Sequence, residues 1–551
     1  MTERQHTAVA IVLVIMGLYL MRMSAVEIQP TPEAEIALRA ESIVRSQQWM
    51  DVSTESIGGL STSATPPLPS WITAVGITLL GPTTIAVRFG AVLAIIGVLL
   101  LSYGIARRAL PYTQALMVCA VVGLSTPMIT VGRQMTPELM GLALVMLCWW
   151  SIVQLLSATG TKARVGWMLV YAIGLGGALL TSLPLTAIAV LLSIPVILNR
   201  QTLLMGIGGV LLGLLVGVPW YLTMITNHGS DFLLALSTAS TASDAVTGGF
   251  HTGPLDVVAL LVLSSPILVA ALIWVIAGVR YRDVVPARTD VVMMTAGLWF
   301  LGMMVLVAIS RHHTMLAMVP VIPAATIVSF SLIQSAMQQR TPGLLLTTLA
   351  GIVLSGTASV LVYSRLVQRT QWIWFVLGIE AVLLLGVFAM SAARRQRLAV
   401  RLTKPIINGA LALTAFIALG TIMFGSRDAI TGARTVGLRM LEDTLVARNF
   451  VYLFHRDAPT DNINQQLAWY TRGWMSGRNP RFAYVPLAMP TAVVDPAVVR
   501  ASVGAPWIVY YHPGIDENVS TEVFEILDAE YSIAEETPHY ALFERRLRMR
   551  R

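Results

Sequence analysis

Apolar runs long enough to cross a bilayer recur along most of this 551-residue chain. A helix rises about 1.5 Å per residue, so about 20 apolar residues span the hydrocarbon core. Such runs lie at about 7–23, 84–105, 113–131, 137–156, 166–181, 184–198, 203–225, 257–279, 291–310, 314–336, 343–363, 372–391 and 407–424. The expected architecture is therefore an α-helical polytopic membrane protein with about thirteen transmembrane helices. Charged residues make up only 12% of the chain, about half the share of an average soluble protein. One soluble core could not hide this much apolar surface.

The gaps between runs set an orientation. With the N-terminus in the cytoplasm, the cytoplasmic gaps hold Arg107 and Arg108, Lys162 and Arg164, Arg200, Arg280 and Arg282, Arg340, and the cluster Arg394, Arg395, Arg397, Arg401 and Lys404. That is the bias membrane insertion imposes. It accounts for the net charge of +8 and argues against nucleic-acid binding. An odd number of crossings puts the C-terminus outside. The run at 7–23 reads as a first membrane helix, since no A-x-A cleavage pattern follows it. Cys119 and Cys148 fall inside apolar runs and read as small core residues.

Two domains follow: a membrane domain over 1–425 and a soluble extracytoplasmic domain over 426–551. The membrane domain carries a first outer loop at about 24–80 and a second at about 226–256. Within the first loop, 33–49 reads as an amphipathic helix lying along the interface. The tail alternates β-rich runs, 450–454 and 507–511, with a helical run near 490–503, which predicts a small α/β domain.

Several motifs carry a resemblance. The first outer loop opens Pro32-Glu33-Ala34-Glu35-Ile36-Ala37 and reaches Trp49; Thr65-Pro66-Pro67-Leu68 and Arg88-Phe89 follow. Further on come Arg133-Gln134-Met135-Thr136-Pro137-Glu138, Pro219-Trp220-Tyr221, His228-Gly229 and His251-Thr252-Gly253-Pro254. Ser310-Arg311-His312 then precedes Pro320 and Pro323. In this order the motifs resemble the GT-C glycosyltransferases of the aminoarabinose-transferase and protein O-mannosyltransferase type. The resemblance is strongest over about 7–335.

The resemblance implies transfer of a sugar from a polyprenyl-phosphate donor to a lipid, glycan or protein acceptor on the outer face of a bacterial inner membrane. It nominates Glu33 and Glu138 as catalytic carboxylates, and Arg88, Arg133, Arg311, His312 and His251 for donor and phosphate binding. Such chemistry needs cations to hold the departing phosphate and a carboxylate to take the acceptor proton. The chain departs from the pattern at Pro32, where an acid is expected, and at Thr65 and Ser182, where lysines are expected. Those departures also fit a second reading, a GT-C-like accessory or assembly subunit of a membrane complex without transferase activity.

Other residues have structural readings. Glu138 opens a membrane helix, where the helix dipole favours an acid. Adjacent His312 and His313 do not share a helix face, so no metal site is expected there. Glu380 lies midway along an apolar run and reads as a helix–helix polar contact, and Trp149-Trp150 as interfacial belt. Gly-rich phosphate loops, H-E-x-x-H and C-x-x-C are absent from the sequence, so no cofactor is expected.

Overall fold

Prolines and hydroxyl caps set many of the helix boundaries. Thr136 accepts from Leu139 N and starts one helix, with Pro137 in its first turn. Thr83 accepts from Ala86 N and starts another. These side chains satisfy N–H groups that the first helical turn leaves without partners. The computed structural model describes residues 3–242, apart from 22, 25, 30–31, 51–53, 57–58 and 62–64, then 261–280 apart from 262–263, 291–309, 318–339, 341–366, 392–424 and 432–442. In the tail it describes 450–455, 466–467, 469–470, 481–485, 507–511, 525, 527–537 and 540–546.

The chain opens with α1 (Glu3–Leu20) and α2 (Glu33–Ser46). A short hairpin follows, β1 (Thr54–Ser56) against β2 (Gly59–Ser61). The helices α3 (Leu68–Leu80), α4 (Thr84–Val87), α5 (Phe89–Ala109), α6 (Tyr112–Leu124), α7 (Thr126–Val131), α8 (Pro137–Ser157) and α9 (Thr161–Leu179) come next. After them are α10 (Leu183–Leu192), α11 (Ile194–Leu198), α12 (Leu203–Ala242), α13 (Val269–Arg280), α14 (Val291–Ile309), α15 (Ile322–Gln338), α16 (Pro342–Leu366), α17 (Ala392–Phe424) and α18 (Ala433–Glu442).

Six helical stretches among the described residues are long and apolar enough to cross a membrane. They are Phe89–Ala109, Pro137–Ser157, Leu203–Leu233, Val319–Gln338, Pro342–Val360 and Val400–Met423, and six shorter apolar helices stand beside them. The protein is a multi-pass membrane protein. The expected helix at 372–391, with Glu380, lies outside the described residues, as does the tail helix expected near 490–503.

Several apolar runs are not single helices. The run at 84–105 divides at Arg88, that at 113–131 at Ser125, and that at 184–198 at Ser193. Pro127 and Pro195 sit in the first turns of the second pieces, where a missing N–H costs nothing. Conversely, α12 does not end at 225. It continues past Pro219 and changes direction at Gly229, whose φ of 55° is open to glycine. Much of the expected second outer loop is therefore helical.

The helix α2 buries Glu33, Ile36, Arg39 and Ile43 and packs against α3. Trp149 is not interfacial: it is fully buried, donates to Thr295 Oγ1 at 2.7 Å and meets the Trp299 ring edge-on at 5.0 Å. Both cysteines are buried and unbridged, as expected of core residues.

The helices alternate in direction, and this sorts the charges. The far end of α5 carries Arg107 and Arg108, and Arg108 bonds Gln154 near the end of α8. Lys162 and Arg164 start α9 at that same end. The opposite end holds Arg88, Thr136 and Leu180, whose carbonyl accepts from Leu68 N at 3.0 Å. Tyr221 reaches the same end, donating to Leu179 O at 2.8 Å, and Trp220 donates to Met50 O at 3.1 Å.

The tail forms a five-stranded sheet in the order β4-β3-β5-β7-β6. The strands are β3 (Phe450–His455), β4 (Arg481–Val485), β5 (Trp507–Tyr511), β6 (Tyr531–Glu536) and β7 (Tyr540–Arg545). Pairs β3–β4 and β3–β5 are parallel, while β5–β7 and β6–β7 are antiparallel.

The tail is bonded to the connection between α1 and α2. The buried Glu27 carboxylate accepts from Gly432 N and Arg434 N, both at 3.2 Å, at the start of α18. Ile28 N donates to Tyr470 Oη at 2.8 Å, and Gln466 Nε2 donates to Ile28 O at 2.7 Å. Gly432 has φ 89°, and a Cβ there would collide with the Thr537 side chain. Gly432→Ala should cost about 1–3 kcal/mol. Limited proteolysis should show the tail cleaved faster than in the unsubstituted protein.

Candidate functional site

The site begins with a break in the chain. Arg88 interrupts the helical path between α4 and α5 and sends its side chain inward, where it is 1% exposed. Its Nε donates to Glu33 Oε1 at 2.7 Å and Nη2 to Glu33 Oε2 at 2.8 Å, a two-point pair between planar groups. Nη2 also donates to Glu27 O at 2.9 Å, and Nη1 to Val26 O at 3.2 Å and to Met23 O. All five N–H donors of Arg88 are thereby used.

Glu33, 0% exposed in the first turn of α2, is equally committed. Besides Arg88 it accepts from Gln29 N at 2.9 Å and from Met135 N at 3.1 Å. Four hydrogen bonds hold one carboxylate. They join the α1–α2 connection, the start of α5 and the approach to α8.

Arg133 belongs to the same cluster. Its Nη2 donates to Met21 O at 2.7 Å, just past the end of α1. Thr136 then caps α8, and Glu138 sits in the first turn of that helix, three residues beyond Met135. Glu138 Oε2 is buried and has no hydrogen-bond partner. Of the two nominated carboxylates, Glu138 thus has an oxygen uncommitted, whereas Glu33 has each oxygen bonded twice.

The structure therefore brings Glu33, Arg88 and Arg133 around the end of α1, with Glu138 nearby along the chain. Arg311, His312 and His251 lie outside the described residues. At the departures from the motif pattern, Pro32 precedes the first turn of α2. Ser182 precedes α10 and accepts through its carbonyl from Thr186 Oγ1 at 2.8 Å. Thr65 Oγ1 donates to Glu35 Oε1 at 2.9 Å. A cavity of ≈ 260 Å³ lies between the membrane domain's 24–85 stretch and the tail, lined by Ser24, Glu41, Thr83, Arg434, Trp469 and Tyr470 among others.

Two residues at this end carry no motif and stand apart from the sequence candidates. Glu27 ties the tail to the loop, and Arg39 is a second buried arginine, 1% exposed. Burial pushes the Arg39 guanidinium pKa down, and the Glu35 charge partly offsets this. A charged residue on the apolar face of an amphipathic helix is the signal that marks Arg39 in the sequence.

Residues 64–238 match the family described as dolichyl-phosphate-mannose-protein mannosyltransferase. The fold is similar to the crystal structure of ArnT from Cupriavidus metallidurans in the apo state, with TM-score 0.63, 17% identity and 98% of each chain covered. It is similar also to the ArnT structure bound to undecaprenyl phosphate, with TM-score 0.63, 18% identity and 97% of each chain covered. Comparison with curated protein sequences gives no match. The chain has the GT-C glycosyltransferase architecture.

Removing one partner of the buried pair leaves an unpaired buried charge. Arg88→Met alone should cost about 3–5 kcal/mol, and Glu33→Leu with Arg88→Met together should recover part of that loss. Thermal unfolding of the detergent-solubilised protein measures both.

Proposed function

We propose that the protein is a membrane glycosyltransferase that moves a sugar from a polyprenyl-phosphate donor to a lipid, glycan or protein acceptor. The reaction takes place at the outer face of a bacterial inner membrane. The observation that carries this reading is correspondence of fold over nearly the whole chain, tail included, with a protein that has been crystallised with undecaprenyl phosphate. The charge sorting along α5, α8 and α9 supports the orientation. Basic gap residues gather at one helix end and the candidate site at the other, so the N-terminus is cytoplasmic and the tail extracytoplasmic.

In this reading the acceptor hydroxyl attacks the anomeric carbon, and the bond from that carbon to the phosphate oxygen breaks. The phosphate departs with the electron pair, and the acceptor proton passes to a carboxylate. Glu138 fits the proton acceptor because one of its oxygens is uncommitted. Glu33 fits an orienting role: through Arg88 it holds the loop from Met23 to Glu27, and through Met135 it fixes the approach to Glu138. Arg133 lies at the same helix end, and Arg311, His312 and His251 complete the donor-binding set on the strength of their motifs. The cavity between loop and tail suits the acceptor side.

The test is transfer from a polyprenyl-phosphate sugar by the purified protein in nanodiscs. Glu138→Gln should lower kcat by about 10²–10⁴ while leaving donor affinity unchanged. Full turnover in that variant removes Glu138 from the chemistry. A wild-type protein that binds the donor but transfers nothing supports the accessory-subunit reading instead.

A further inference from the structure

The two buried arginines of this end are opposites. Arg88 has all five donors engaged and two carboxylate oxygens against it. Arg39 is equally buried, yet among the described residues it makes one hydrogen bond, Nη1 to Thr65 O at 2.6 Å. Its Nε is buried with no partner. The nearest carboxylate oxygen, Glu35 Oε1, is 3.9 Å away and already accepts from Thr65 Oγ1.

The same helix supplies an internal control. Glu41 and Arg45 have the same four-residue spacing as Glu35 and Arg39, and they close to 2.6 Å on the exposed side. The buried pair should gain more from closing, because the dielectric is lower. It stays open instead. The Thr65 hydroxyl competes for the carboxylate, and the Thr65 carbonyl anchors one end of the guanidinium. A buried guanidinium with unmet donors is costly unless an anion arrives, and its planar fork suits an oxyanion bound through two oxygens.

We propose that Arg39, held open by Thr65, is an oxyanion-binding residue that takes a phosphate oxygen at the outer end of the bundle. Under the glycosyltransferase reading, on which its biological occupant rests, that phosphate is the donor's. Thr65 stands where the motif pattern expects a lysine, and Arg39 places a cation against that same residue from the neighbouring helix.

The experiment uses the full chain in nanodiscs, with undecaprenyl phosphate and inorganic phosphate as separate probes and Arg39→Gln and Arg39→Lys as variants. Arg39→Gln should weaken undecaprenyl phosphate binding by roughly tenfold or more. Its ligand-free thermal midpoint should stay unchanged or rise, since an uncompensated buried charge has been removed. Arg39→Lys should recover part of the affinity. Unchanged affinity in Arg39→Gln overturns the proposal, as does a loss that tracks a lower ligand-free midpoint in both variants. If the wild type fails to bind undecaprenyl phosphate but is stabilised by inorganic phosphate through Arg39, the oxyanion site stands and the lipid-linked donor reading falls. If neither probe binds the wild type, both fall.

Discussion

The two-point pair between Arg88 and Glu33 is the contact on which this end of the helix bundle is assembled. Two charges taken out of water are stable only when paired and fully hydrogen-bonded. Here that requirement recruits three separate stretches of chain. Arg88 needs the carbonyls of Met23, Val26 and Glu27, and Glu33 needs the amides of Gln29 and Met135. The loop between α1 and α2 is thereby wrapped around one guanidinium. Its other face presents the Glu27 carboxylate and the Ile28 backbone to the tail. Position of the tail and position of the candidate carboxylates thus depend on the same few residues.

This arrangement divides labour among groups that look alike in sequence. Glu33 and Glu138 are both acids in the first turn of a helix, and the helix dipole favours both. One is saturated with donors and acts as a strut, while the other keeps an oxygen uncommitted. Arg88 and Arg39 divide in the same way. An arginine with every donor used holds architecture together, and an arginine with most donors unmet is suited to a ligand.

Much of the fold is legible in the sequence because its determinants are local. Run length and gap charge set the membrane architecture, and strands at 450–455 and 507–511 follow from β-branched and aromatic clustering. Breaks at Arg88, Ser125 and Ser193 were hidden because hydropathy averages over a polar residue flanked by apolar ones. The continuation of α12 beyond 225 was hidden because polar residues there signal loop and helix alike. Of the candidate site, Glu33, Arg88, Arg133 and Glu138 could be named from motif order. Their partners could not, since Arg88 and Glu33 are 55 residues apart and Ile28 and Tyr470 are 442 apart. Which arginine is occupied depends on those distant partners.

The central claim is that Arg88 is architectural and stays with Glu33 when the site is filled. A cryo-electron microscopy structure of the full chain in nanodiscs with undecaprenyl phosphate tests it most directly. The account predicts the Arg88–Glu33 pair intact, with both N–H···O contacts retained and the phosphate beside Arg39. A structure in which Arg88 has left Glu33 to bind the phosphate would contradict it.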